Sequence, residues 1–105
     1  MIEKNDLNNI IDLVRRAANP RQIYLFGSYA TGQATDKSDL DVLVVDDSAQ
    51  DKKQVALKIS KALFPRNYGL DLIVVSPEDM QNKQRRRMGF WLEIVNKGKK
   101  IYERS

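Results

Sequence analysis

Neither cysteine nor histidine occurs anywhere in the 105 residues. The first absence excludes disulfides, thiolate nucleophiles and the common structural zinc sites. The second excludes a Ser-His-Asp triad, a histidine general base and histidine-ligated metals. Aromatics are sparse at 8%, which argues against a surface that binds nucleic acid by stacking. No apolar run approaches the ~20 residues that span a bilayer, so no membrane association is expected. The opening MIEKNDLNN carries acids and no apolar signal core, and the expected location is the cytoplasm. An enzyme built from this alphabet has carboxylates, hydroxyls, Lys, Arg, Tyr and backbone amides as tools. Carboxylates suit hard cations such as Mg2+ or Mn2+.

What is present points to one domain without internal repeats. The charge is +4, with a pI near 9.4, which suits a phosphate-bearing partner. Residues 6–18 place Leu7, Ile10, Ile11, Val14 and Ala18 at helical spacing, stopped before Pro20. A short strand follows over 22–27, then a small, polar stretch over 28–38. The β-branched run 39–45 reads as a strand. Ser48 is the expected cap of a helix over 49–63 that buries Val55, Ile59, Ala62 and Leu63. A loop PRNYG leads to a strand over 70–75. Ser76-Pro77-Glu78-Asp79 opens the next helix, in which Met88, Trp91, Leu92 and Val95 repeat at helical spacing. Gly98 ends it, and KKIYE makes a last short edge strand.

The helix between the second and third strands predicts a parallel βαβ crossover, whereas the shorter link between the first two allows an antiparallel pair. The expected fold class is α/β (α+β): a mixed sheet with helices packed on it.

Three features converge at one edge of that sheet. Asp39 and Asp41 are two apart, so both side chains share a face. Asp71 opens the neighbouring parallel strand and falls at the same end. Gly27-Ser28 closes the first strand, which ends there if it is antiparallel. Clustered carboxylates repel one another unless a divalent cation compensates. Glycine lets backbone approach a phosphate, and Ser28 offers a hydroxyl and an amide. Two-metal phosphoryl or nucleotidyl transfer is the chemistry that this set can support.

The run GSYATGQATDKSDLDVLVV resembles the signature of the DNA polymerase beta-type nucleotidyltransferase superfamily: Gly-Ser, ten residues, then Asp-x-Asp opening a strand. Asp71 in LDLIVV matches the third acid. The small size and the closing NKGKKIYE are similar to the minimal nucleotidyltransferases. The resemblance implies the polymerase beta palm fold and two Mg2+ ions, with Mn2+ as the substitute, held by Asp39, Asp41 and Asp71. It implies that Gly27 and Ser28 hold the phosphates of an NTP, ATP first, and that Asp71 helps deprotonate an acceptor hydroxyl. Tyr29, beside Ser28, is placed to stack on a base. Thr31 departs from the pattern, standing where relatives often carry Arg. The resemblance also implies a partner, a small helical HEPN-type protein, and an alternative role as the antitoxin of a toxin–antitoxin module.

Plainer readings cover the remaining charges. Asp46, Asp47, Glu78 and Asp79 are assigned to helix starts. Arg85-Arg86-Arg87 is read as a solvated helix face, with nucleic acid as the rival. Lys97, Lys99 and Lys100 are helix-end and edge-strand charges. Trp91 is core or interface, and an apolar side that includes Phe90 and Trp91 allows a homodimer or a heteromer.

Overall fold

A computed structural model describes residues 2–48, 51–81, 94 and 96–104. The elements run α1 (Lys4–Ala17), β1 (Pro20–Phe26), α2 (Ser28–Thr31), β2 (Leu40–Asp46), α3 (Lys52–Ala62), β3 (Leu70–Val75), α4 (Pro77–Gln81) and β4 (Lys99–Glu103). They make one four-stranded sheet in the order β3-β2-β1-β4. The long link through α3 makes β2 and β3 parallel, and β1 is antiparallel to both β2 and β4. KKIYE is therefore the edge strand that its charges suggested.

Alternation along β2 covers both faces of the sheet. Leu40, Val42 and Val44 face α1 and α3, where they meet Ile10, Val14, Ile23, Leu25, Val55 and Ile59 in one buried cluster. Leu43 and Val45 point the other way, to Tyr24, Val75 and Ile94. By the same alternation Asp41 shares the second face. The predicted helix carrying Met88, Trp91, Leu92 and Val95, together with Phe90 and the Arg85-Arg86-Arg87 cluster, lies outside the described residues, except that Ile94, Asn96 and Lys97 are helical. No described helix is long and apolar enough to cross a membrane.

Two expectations need correction. Asp46 and Asp47 do not start a helix. β2 runs one residue past its apolar run to Asp46, which pairs with Pro20 and is 4% exposed. Its carboxylate accepts the Asn19 N–H at 2.8 Å and the Ser48 N–H at 2.9 Å. Asp47 accepts from the Asn19 side chain at 2.7 Å and from Arg104. This knot ties the start of β1, the end of β2 and the C-terminal tail at the end of the sheet away from the three acids. Ser48 also does not cap the next helix. That helix starts later, at Lys52, and Asp51 caps it by accepting the Lys53 N–H at 2.9 Å.

Glu78 and Asp79 do sit in the first turn of α4. The Ser76 N–H donates to Asp79 at 3.1 Å, and the Asp79 N–H donates to the Ser76 hydroxyl at 3.0 Å, a reciprocal cap. Burial would raise the Asp79 carboxyl, but hydrogen bonds from Lys52 and Ser76 outweigh it and hold it below its ordinary value. The fold thus favours the charged form, which stabilises above the ordinary carboxylate range and is lost as pH falls through the lowered value. The group is partly exposed, so Asp79→Asn should cost only about 0.5 kcal/mol at pH 7. The cost should shrink as pH falls through the lowered value, in melts followed by circular dichroism.

Candidate active site

Register assembles the predicted edge. Asp41 lies opposite Phe26 of β1 and opposite Asp71 of β3. Asp39 precedes β2 directly, and the Leu40 N–H donates to the Gly69 carbonyl at 2.8 Å, which locks the entry to β3 beside it. The turn before Asp39 bonds to itself: the Thr35 N–H donates to the Ser38 hydroxyl at 2.8 Å, and the Ser38 N–H donates to the Thr35 carbonyl at 3.0 Å. Asp39, Asp41, Asp71, Gly27 and Ser28 therefore share one sheet edge, as expected.

Asp41 carries the electrostatic stress. Burial, then the charges of Asp71 and Asp39, then a hydrogen bond with the Asp71 side chain push its carboxyl above the ordinary value. Like charges held this close are what a divalent cation relieves. Among the described residues no three carboxylates already converge on one point. The Asp39 carboxylate lies over Gly69, and this exposed side chain can turn without repacking a core. The oxygen donors and their shared edge fit a hard cation.

Two glycines make room for the acids. Gly27 has φ +69° and ψ −148°, a region that only glycine enters readily. A Cβ there would lie 2.2 Å from Asp41 Oδ2. A Cβ at Gly69 would lie 2.0 Å from Asp39 Oδ1, with no φ strain. Gly69 closes the loop PRNYG and borders the candidate site; its place directly before an acid-bearing strand is the signal that the sequence offers for it. Both clashes are with carboxylate tips, so a methyl group would displace the acid and leave the sheet standing. Gly27→Ala should lower catalysis about a hundredfold and stability by about 1–3 kcal/mol. Gly69→Ala should lower catalysis about tenfold, with little change in melting temperature. Equal catalytic losses with equal melting shifts would sink this distinction.

A cavity of about 420 Å3 opens beside the glycine-serine turn, lined by Gly27, Ser28, Thr31, Gln33, Lys97 and Gly98 among others. Tyr29 is not in it. Adjacent helical residues diverge by about 100°, and α2 turns Tyr29 to the other side of the sheet. There its hydroxyl accepts the Ile2 N–H at 3.2 Å, and its ring lines a larger cavity of about 820 Å3 with Asp6, Asn9, Arg66 and Tyr68. The structure thus joins Gly27 and Ser28 to the acid edge and separates Tyr29 from them.

A family profile described as "Polymerase beta, Nucleotidyltransferase" matches residues 8–105. The chain is 34% identical over 82 residues to a candidate protein adenylyltransferase of Methanocaldococcus jannaschii, covering 78% of each chain. Among solved structures it resembles a toxin–antitoxin with AMP-PNP, at a TM-score of 0.65 and 26% identity over 93% of this chain and 73% of that one. It also resembles a complex of a tri-AMPylated Shewanella oneidensis HEPN toxin with an MNT antitoxin, at 0.54 and 25% over 92% and 69%.

Proposed function

The chain belongs to the polymerase beta nucleotidyltransferase family, and from that premise we propose that it transfers a nucleoside monophosphate, AMP from ATP first, to a hydroxyl group on a partner protein. The observation that carries this reading is the register that sets Asp71 beside Asp41, with Asp39 two residues away and Gly27 at the adjoining strand end. Asp39 and Asp41 are the residues that would hold two Mg2+ ions, or Mn2+, with Asp71 completing the set. Bound there, the cations would supply Lewis-acid stabilisation of the phosphoryl charge. Gly27 leaves space for the polyphosphate, and the Ser28 hydroxyl and amide donate to it. Asp71 takes the proton from the acceptor hydroxyl as that oxygen attacks the α-phosphate and pyrophosphate leaves.

The protein acceptor is supported by the name of the archaeal relative and by the AMPylated toxin in the similar complex. A helical HEPN-type protein would bring its own hydroxyl to this edge. The cytoplasm, where NTPs and such a partner meet, is the compartment that this reading requires. A second reading, an antitoxin that only masks its partner, draws on the same complexes and on two exposed apolar side chains, Leu57 of α3 and Phe64 just past its end.

Transfer of label from α-32P NTPs in Mg2+, into host lysate and into any co-encoded helical protein, decides between the two. A labelled protein band lost in Asp39→Asn/Asp41→Asn is the expected result. A partner that binds tightly and never acquires label overturns the transfer reading and leaves masking.

A further inference from the structure

Lys97 reads in the sequence as an ordinary helix-end charge, yet the structure sets it on the wall of the cavity beside Gly27 and Ser28. Register explains the position. β4 pairs antiparallel with β1, with Lys99 opposite Leu25. Two residues further along each chain, Lys97 comes level with Gly27. The backbone that carries it is pinned as well. The Gly98 N–H donates to the Ile94 carbonyl at 2.8 Å, and a Cβ at Gly98 would lie 2.8 Å from the Leu25 carbonyl oxygen. The helix end and strand β1 thus touch backbone to backbone, directly beside Lys97.

The charge distribution gives the position a task. Among the described residues that line this cavity, Lys97 alone carries a formal charge. The three acids lie on the same sheet face, next to Gly27. Even with two divalent cations bound, three carboxylates and a triphosphate leave the site net negative. A compact ammonium on a flexible stem is suited to the tail of such an anion, as a point charge and hydrogen-bond donor. We propose that Lys97 binds the terminal phosphates of the NTP seated on Gly27-Ser28, a role that rests on the transfer reading above. Thr31 lines the same cavity and is exposed, so a cation placed there could substitute from another wall.

Isothermal titration calorimetry of the whole chain with Mg·ATP and with AMP tests this. Lys97→Met keeps the aliphatic stem and should weaken ATP binding about tenfold. AMP binding should stay within about twofold, because the lost charge faces only the tail. Lys97→Arg should retain ATP affinity, and Thr31→Arg added to Lys97→Met should restore it. In transfer assays the defect should fall on KM for ATP more than on kcat. Lys97→Gln serves as the second variant where Lys97→Met does not melt cooperatively. Equal ATP affinity in Lys97→Met and wild type overturns the role and leaves the transfer reading standing. Equal losses for ATP and AMP also overturn it, since a general distortion would do that. A wild type that binds no Mg·NTP removes the transfer reading itself, and this role with it.

Discussion

Asp41→Asn should abolish transfer while making the metal-free protein more stable. The rate with α-labelled ATP should drop by about a thousandfold or more, several kcal/mol of lost charge stabilisation at the reacting phosphate. Asp41 is the centre of the set: it pairs in register with Asp71, is two residues from Asp39, and lies over Gly27. The stability change has the opposite sign. Burial and two neighbouring carboxylates disfavour the charged form of Asp41, so removing the charge relieves the folded state. In EDTA the variant should melt about 2–5 °C above wild type, a fraction of a kcal/mol in a domain of this size. Mg2+ should raise the melting temperature of wild type and leave that of the variant nearly unchanged, because a ligand stabilises only the state that binds it. An Asp41→Asn protein that keeps wild-type transfer, or that melts lower in EDTA and still responds to Mg2+, would show that the acids are structural.

How far the site was legible depended on how local its causes are. Asp39 and Asp41 could be read because strand alternation is a property of neighbouring residues: DLDVLVV puts both acids on one face and Leu40, Val42 and Val44 on the other. Asp71 followed from one topological inference, the crossover through α3, which β2 and β3 bear out by pairing in parallel. Asp46 and Asp47 look in the sequence like acids ahead of a helix. Their partners, Asn19 and Arg104, are 27 and 57 residues away, and no local pattern announces them. Lys97 became a cavity residue only once β4 was laid against β1. Gly69 matters through a side chain thirty positions upstream, Asp39. Tyr29 failed in the other direction: next to Ser28 in the chain, it is turned away by the helical twist between them. Residues placed by a strand's own period or by the crossover that follows it were visible, and those placed by contacts with distant segments were not.

Gly98 is where that non-local register is most exposed to a single methyl group, and Gly98→Ala should be the most destabilising of the substitutions considered. A Cβ at this position would lie 2.1 Å from the Ile94 carbonyl oxygen and 2.8 Å from that of Leu25. Both are backbone atoms, in contrast to the carboxylate tips that face Gly27 and Gly69, so no side-chain rotation relieves the contact. Either the helix end lifts, losing the Gly98 N–H bond to Ile94, or β4 slips on β1. Ile94 is 2% exposed and packs with Tyr24, Leu43, Val45 and Val75, so lifting it opens the second face of the sheet. Slipping β4 breaks the pairs from Gln22 with Glu103 to Leu25 with Lys99. The expected cost is about 2–4 kcal/mol, a drop in melting temperature of about 10–20 °C. Transfer should fall with the folded fraction, and ATP affinity further still, because Lys97 moves with its neighbour. Hydrogen exchange should show which route is taken: faster exchange at the Ile94–Gly98 contact alone means a lifted helix end, and faster exchange along the β1–β4 ladder means strand slippage. A Gly98→Ala protein that melts within about 2 °C of wild type would mean that the helix end and β1 do not meet as closely as their carbonyls indicate.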